Sequence, residues 1–274
     1  MSDSAQSRMW DPQRPAALAP LLAHRRWWRY RYPFPHLRAV NVFRPAVYAE
    51  LEDAFLSWLK ATDGGTVLAG HDLRGTTLSS EVEGPLRLFA SPGWHRLIAR
   101  ACSVKATGHV NLGLHHHRPG SLSGFPHTDL NPGWFPGPVP DGPDRPGNAD
   151  GIVLAAPGRV DYVSGQVSDA SARPVKVIRA VAVIFYLANP MWEEEHRGET
   201  GLYRNGGAGA QPVTSIPPHS NSLLAFECTP WSFHGFLGGG CVPRNSVVQW
   251  LHQSADAATD RWGAGQIRNY GARA

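Results

Sequence analysis

The chain has 274 residues, of which 42% are hydrophobic and 18% charged, and a formal net charge of +4; this is ordinary for a globular protein that buries a sizeable core. No apolar run approaches the roughly 18 to 20 residues needed to cross a bilayer, and residues 1–14 are polar without a leader-type apolar stretch, so a soluble, cytoplasmic protein is expected. Cys102, Cys228 and Cys241 are odd in number and widely spaced, which indicates neither a zinc ribbon nor a disulfide framework.

Residues 1–33 form an N-terminal extension that ends in a cationic aromatic cluster, RRWWRYRY at 25–32. Such a cluster can stack bases or sit on a membrane surface. The simpler expectation is rings packed across a domain surface with solvated arginines.

A helix is expected from Pro45, with Val47, Leu51, Phe55, Trp58 and Leu59 at helical spacing up to a stop at Asp63, Gly64 and Gly65. A second follows Ser91 and Pro92, with Trp94, Leu97, Ile98 and Ala101 as its stripe. From His109 the pattern changes to short extended segments between Gly and Pro, that of a β-sandwich or barrel, and no further helix is expected. Residues 109–117 alternate, with Val110, Leu112 and Leu114 on one face and His109, Asn111, Gly113, His115 and His117 on the other.

Residues 131–175 are rich in Pro, Gly and Asp and read as a long insertion with one small hairpin near Val160 and Val167, expected to act as a substrate lid. Strands resume at 179–187, 201–203, 222–228 and 246–252, and 253–274 is left as a tail.

The segment GFPHTDL holds His127 and Asp129 two residues apart. On extended backbone both side chains point the same way, which suits a metal. With 13 His in the chain, one His-x-Asp triplet is close to a chance occurrence and needs a partner. His234, after an apolar segment and before Gly235, supplies it. Two imidazoles and one carboxylate leave three positions of an octahedral ion open, the ligand set of non-haem iron(II) oxygenases. Ten residues later comes Arg244, with Ser246 on the same strand face. Its rigid fork of donors binds a carboxylate through two parallel bonds.

In this order, the motifs resemble the iron(II)- and 2-oxoglutarate-dependent dioxygenase superfamily, its prolyl-hydroxylase-like branch most of all. Supporting pieces are PHL at 35–37, Pro119, Gly120 and Leu122, then FYLAN with Tyr186, Trp192, GETGLY at 198–203 and NSLLAFE at 221–227. The resemblance spans 34–252 and implies a mainly β fold with flanking helices, a double-stranded β-helix (jelly roll, cupin-like). It implies His127, Asp129 and His234 as iron ligands and the catalytic centre. It also implies Arg244, assisted by Ser246 and Tyr186, as the partner of the distal carboxylate of 2-oxoglutarate, with O2 as the second cosubstrate. One departure is that His115, His116, His117 and Arg118 stand where relatives often carry a tyrosine. His115, His117 and Arg118 are taken as substrate contacts, since consecutive strand residues alternate and cannot all converge on a second metal.

The expected reaction is hydroxylation of an aliphatic carbon of a small metabolite, amino acid or peptide-like natural product, with release of succinate and CO2. Retention of Asp129 disfavours halogenation, whereas desaturation, epimerisation and cyclisation stay open. The alternatives are a protein or nucleic-acid substrate, or a non-catalytic metal-binding jelly roll. A nucleic-acid partner rests on the 25–32 cluster alone and is not expected; the oligomeric state is left open.

Overall fold

The computed structural model describes residues 18–68, 72–79, 83–137, 151–168, 170, 172–207 and 209–268; the start of the extension and the middle of the insertion lie outside them. Strands β1 (Trp28–Tyr30), β2 (His36–Val40), β3 (Thr66–Val67), β4 (Arg74–Thr77) and β5 (His109–His117) precede the insertion, which carries β6 (Pro132–Pro136) and β7 (Val153–Leu154). Then come β8 (Pro174–Tyr186), β9 (Thr200–Leu202), β10 (Thr214–Ile216), β11 (Ser222–Glu227), β12 (His234–Phe236) and β13 (Arg244–Ser254).

The larger sheet runs β1-β2-β11-β8-β13-β5-β4-β3, with β6 added to β8 and β7 to β5; a smaller sheet runs β10-β9-β12. Apart from β7, which pairs parallel to β5, the ladders of the main path are antiparallel. This is the mainly β double-stranded architecture expected from the sequence.

Period-two alternation sorts the large sheet into two faces. Leu37, Ala39, Val110, Leu112, Leu114, Val181, Val183, Phe185, Leu223, Ala225, Val247 and Leu251 share one core with the helices. Ala182, Ile184, Tyr186, Leu224, Phe226 and Val248 line the barrel interior. Because β8 is covered on both faces, its sequence is nearly continuously apolar rather than alternating.

Helix α1 (Pro45–Thr62) starts on its proline and buries Val47, Leu51 and Phe55; it ends where Asp63 turns left-handed, followed by Gly64 and Gly65 at positive φ. Helix α2 (Pro92–Ala101) is capped by Ser91, whose hydroxyl accepts from Trp94 N, and it buries Trp94 and Ile98. A third helix, α3 (Ala255–Trp262), corrects the expectation of none after His109: Ser254 caps it by accepting from Ala257 N, and Ala258 is its buried residue. Ala258 packs against Leu130 and Ile178, and one small anchor is too little for a recognisable apolar stripe.

The insertion also differs from a free lid. The Val160–Val167 contact is present as an antiparallel bridge, but β6 pairs with β8 and β7 with β5. Phe135, Ala155, Tyr162 and Val177 form a separate small core. A Cβ on residue 133 would lie 2.5 Å from the Tyr162 ring, so Gly133 is what lets Tyr162 close onto β6. The described part of the insertion is therefore built onto the large sheet. In the extension, Trp27 packs edge-on against Trp94 at 6.3 Å, as expected of the cluster, whereas Trp28, Tyr30 and Tyr32 remain exposed on and beside the edge strand β1.

Candidate metal centre and cosubstrate pocket

His127 and His234 face each other across a reciprocal backbone bridge, His127 N to His234 O at 3.0 Å and His234 N to His127 O at 2.9 Å. That pairing puts both imidazoles on one face, and Asp129, two residues on, joins them. His234 Nε2 lies 3.4 Å from Asp129 Oδ2 and His127 Nε2 lies 4.0 Å from Asp129 Oδ1. One ligand atom from each residue falls within 4.8 Å of the others, the spacing of donors around a single ion.

The tautomers are fixed by the backbone. Nδ1 of His127 donates to Phe125 O at 2.9 Å, and Nδ1 of His234 donates to Ser232 O at 3.1 Å. A carbonyl only accepts, so the proton of each neutral ring sits on Nδ1 and the Nε2 lone pair faces the centre.

Asp129 is held from behind. Its Oδ1 accepts from Arg179 Nη1 at 2.7 Å and its Oδ2 from Trp250 Nε1 at 2.7 Å. Burial pushes this carboxyl up, but Arg179, His234 and His127 together hold it well below the usual carboxylate range. The Arg179 guanidinium lies 3.9 Å over the Trp250 ring, and its Nε donates to Tyr162 Oη at 3.0 Å. His252 donates from Nδ1 to His109 O at 2.9 Å, so its Nε2 accepts from Tyr162 Oη at 2.8 Å. Arg179 thus donates in two directions, through Nη1 to Asp129 and through Nε to Tyr162, which donates to His252, which donates to His109 O. Burial keeps His252 neutral, its imidazole pushed well below the ordinary value.

The sequence reading missed Arg179, Trp250, Tyr162 and His252. Alternation along β8 puts Arg179 with Val181 and Val183 on the helix side. A bulge changes this: Leu251 pairs with Val181 but His252 pairs with Arg179, leaving Ala180 as the extra residue. The bulge turns Arg179 into the barrel, a recurrent device beside active sites. An arginine within a run of apolar residues, RAVAVIFYL, was the available signal.

Further along the barrel lies Arg244, 5% exposed. Its Nη2 donates to Thr200 Oγ1 at 3.1 Å, and Thr200 Oγ1 lies 2.6 Å from Tyr186 Oη. The guanidinium stands over the rings of Tyr186 and Phe236 at 5.2 and 5.3 Å. Ser246 is the Cα partner of Tyr186 on β8 and of His115 on β5. Arg244 Nε, Ser246 Oγ and His117 Nδ1 are buried without a hydrogen-bond partner. Buried polar atoms are otherwise paired, so a cationic pocket with open donors fits a carboxylate, and the two-imidazole, one-carboxylate set fits iron(II). Thr200 was not foreseen, although it lies within GETGLY.

The three supposed substrate residues part company. His117 faces Arg244, as its Cα partner, while His115 pairs with Ser246. Arg118 points elsewhere, in an exposed ion pair with Asp63 at 2.6 Å. His116, on the opposite face, bonds Asn245 Oδ1 at 2.7 Å.

A double-stranded β-helix with this donor set at one place and a buried arginine at another fits the class of non-haem iron oxygenases expected from the resemblance. Comparison with known proteins agrees. Residues 161–252 match the model of the 2OG-Fe(II) oxygenase superfamily, a span that includes His234 and Arg244 and stops short of His127 and Asp129. No curated protein matches the sequence. Among solved structures, a Pseudomonas putida prolyl-4-hydroxylase is similar at 12% identity and a TM-score of 0.50, over 80% of this chain and 93% of that one. A Trichoplax adhaerens prolyl hydroxylase, solved with a hypoxia-inducible factor oxygen degradation domain peptide fragment, is similar at 14% identity and a TM-score of 0.52, over 82% and 86%. At these identities the likeness is one of fold. The superfamily match over residues 161–252, on a prolyl-hydroxylase-like fold with a His-Asp-His group, supports a 2-oxoglutarate-dependent dioxygenase that uses iron(II), 2-oxoglutarate and O2. Among the described residues, no helix is long and apolar enough to cross a membrane.

Proposed function

We propose that this dioxygenase hydroxylates an aliphatic carbon of a small metabolite, amino acid or peptide-like natural product. In this reading His127, Asp129 and His234 hold the iron, and Arg244, with Ser246 and Tyr186, holds the distal carboxylate of 2-oxoglutarate. The catalytic domain spans 34–252, insertion included. Bound iron with 2-oxoglutarate supplies the oxidising power that turns O2 and a C–H bond into a hydroxyl group, with succinate and CO2 as coproducts.

The single observation that carries the reading is the convergence of three donor atoms whose tautomers and orientations are already fixed. Pre-organisation of this kind lowers the cost of assembling the site. Around it the chain's residues set position and access. Arg179 and Trp250 each engage one oxygen of Asp129, and Phe226 lies 4.7 Å from the His234 ring, giving the barrel interior an apolar wall beside the centre. His127 is the ligand with an open flank: its side chain is 24% exposed against 3% for Asp129 and 7% for His234. Substrate approaches on that side. The three free cysteines suit a reducing compartment, which supports a cytoplasmic location.

A peptidyl substrate is the second reading, favoured by the exposed edge strand β1 with Trp28 and Tyr30 on its surface, since an open edge accepts an extended chain by backbone pairing. The deciding experiment measures succinate release with iron(II), 2-oxoglutarate and panels of metabolites, amino acids, peptides and proteins. Stimulation by a free metabolite or amino acid supports the first reading. Stimulation only by a protein overturns it.

A further inference from the structure

His117 Nδ1 is a buried polar atom that the proposed metal and carboxylate contacts leave unused. His117 is the last residue of β5 and the Cα partner of Arg244 on β13. Its ring stacks on Phe236 with centroids 3.8 Å apart and planes 27° apart, and the Arg244 guanidinium stands over the same Phe236 ring at 5.3 Å. Phe236 is thus a floor shared by a cation and an imidazole. His117 is 5% exposed, and its Nδ1 is buried without a partner, as are Arg244 Nε and Ser246 Oγ.

We propose that His117 is a second recognition residue for the distal carboxylate of the cosubstrate, and that it takes up one proton from solvent as that carboxylate enters the pocket. The inference rests on the reading of Arg244 as the carboxylate partner. A bare ring nitrogen is an acceptor and repels a carboxylate; only an N–H or an imidazolium attracts one. The groups that face the ring explain why the proton arrives with the anion. Burial, the Arg244 charge from β13, and His115 and His116 from its own strand all disfavour the imidazolium, while a bond to the Asp72 backbone favours it. Phe236 from β12 is neutral. With no anion the ring is neutral, its proton affinity pushed well below the ordinary imidazole value. A carboxylate between His117 and Arg244 reverses the sign of that field. No bond but N–H forms, and nothing is oxidised.

Linkage gives the consequence. The site binds more protons with the carboxylate than without it, so affinity for 2-oxoglutarate falls as pH rises through the proton affinity of the complex. A purely structural His117 shows no such coupling.

The test is anaerobic calorimetric titration of 2-oxoglutarate into the Mn(II)-loaded full chain, in buffers of different ionisation enthalpy at one pH. Wild type is expected to take up close to one proton more than His117→Gln, which keeps a donor but cannot ionise, and to bind about tenfold more tightly, the loss expected for one charge-assisted hydrogen bond. His117→Phe, which preserves the stack on Phe236, is expected to lose the proton and the affinity alike. Pyruvate, which lacks the distal carboxylate, should bind all three forms equally. Equal proton uptake by wild type and His117→Gln overturns the proposal, and so does an equal loss of pyruvate binding. Arg244→Met separates the two levels. If it leaves 2-oxoglutarate affinity intact, the pocket assignment itself is wrong. If it abolishes discrimination between 2-oxoglutarate and pyruvate while the His117 variants do not alter it, only the role of His117 falls.

Discussion

Arg179 Nη1 meets Asp129 Oδ1 at 2.7 Å with both side chains almost wholly buried, at 6% and 3% exposure. The pair joins the carboxylate proposed to bind the metal to a part of the fold from elsewhere in the sequence, because Tyr162 of the insertion accepts a hydrogen bond from Nε of the same arginine. A carboxylate held this way keeps its orientation before any ion arrives, and partners behind metal ligands typically matter about 10- to 100-fold in metal affinity or activity.

Tyr162→Phe tests the reach of the insertion into the centre. It removes one hydroxyl and leaves Arg179 Nε and His252 Nε2 without their partner. An unsatisfied buried group costs about 1–3 kcal/mol, so the variant should unfold at lower denaturant by about that amount and bind iron(II) about tenfold more weakly. Unchanged metal titration and unchanged unfolding would show that the insertion does not support the centre.

Asp129→Ala removes a proposed metal ligand and the carboxylate partner of a buried cation. Burial opposes the Arg179 charge, yet Tyr162 and Asp129 keep its proton affinity above the ordinary guanidinium value. Breaking a buried pair from one side costs about 3–5 kcal/mol, so metal-free Asp129→Ala should be markedly less stable than metal-free wild type. The double variant Asp129→Ala, Arg179→Met should regain most of that loss without regaining succinate formation. Denaturant unfolding of the metal-free wild type, Asp129→Ala, Arg179→Met and the double variant checks this, and an additive double variant would contradict it.

What was legible in the sequence follows from periodicity. Arg244 and Ser246 share a face because strand residues two apart do, and His127 and Asp129 converge as that spacing predicts although only His127 is in a β-bridge. The faces of β5 were readable because Val110, Leu112 and Leu114 alternate with polar residues. Arg179 was not readable: the bulge at Ala180 shifts its parity, and parity is all that a single strand reveals. Tyr162 was hidden differently. It lies in a stretch with little periodicity, and its contact with His252 spans 90 residues, a separation that no local pattern encodes. Arg118, adjacent to His117 in sequence, was expected at the substrate and instead pairs with Asp63 at the end of α1.

The histidines set the acid limit of stability. His36, His95, His109, His117 and His252 all have proton affinities lowered, burial being the main cause in each. A group harder to protonate when folded contributes stability that is present above its unfolded value, here 6.5, and lost as pH falls below it. Asp129 adds a separate decline below 3.8, as its carboxyl is depressed in the fold. The metal-free protein should therefore lose stability steadily from about pH 6.5 downward, and His252→Gln should make that slope shallower. Denaturant midpoints at several pH values from neutral to acid measure it; a flat profile between neutrality and the carboxylate range would refute it.

Trp250→Phe separates support of the metal from support of the cosubstrate. The indole donates from Nε1 to Asp129 Oδ2 and lies under the Arg179 guanidinium. Phenylalanine keeps a ring face for the guanidinium and removes the donor. One oxygen of Asp129 is then released while Arg179 still holds the other, so the carboxylate can turn about a single remaining bond. Trp250 stands six residues from Arg244 on the same strand, and Arg244 takes its own support from Thr200, Tyr186 and Phe236. The expected outcome is iron(II) affinity weakened about tenfold, with 2-oxoglutarate affinity of the metal-saturated protein unchanged. Titrating each ligand separately distinguishes the two effects. Equal weakening of both would mean that Trp250 shapes the whole barrel rather than the orientation of Asp129.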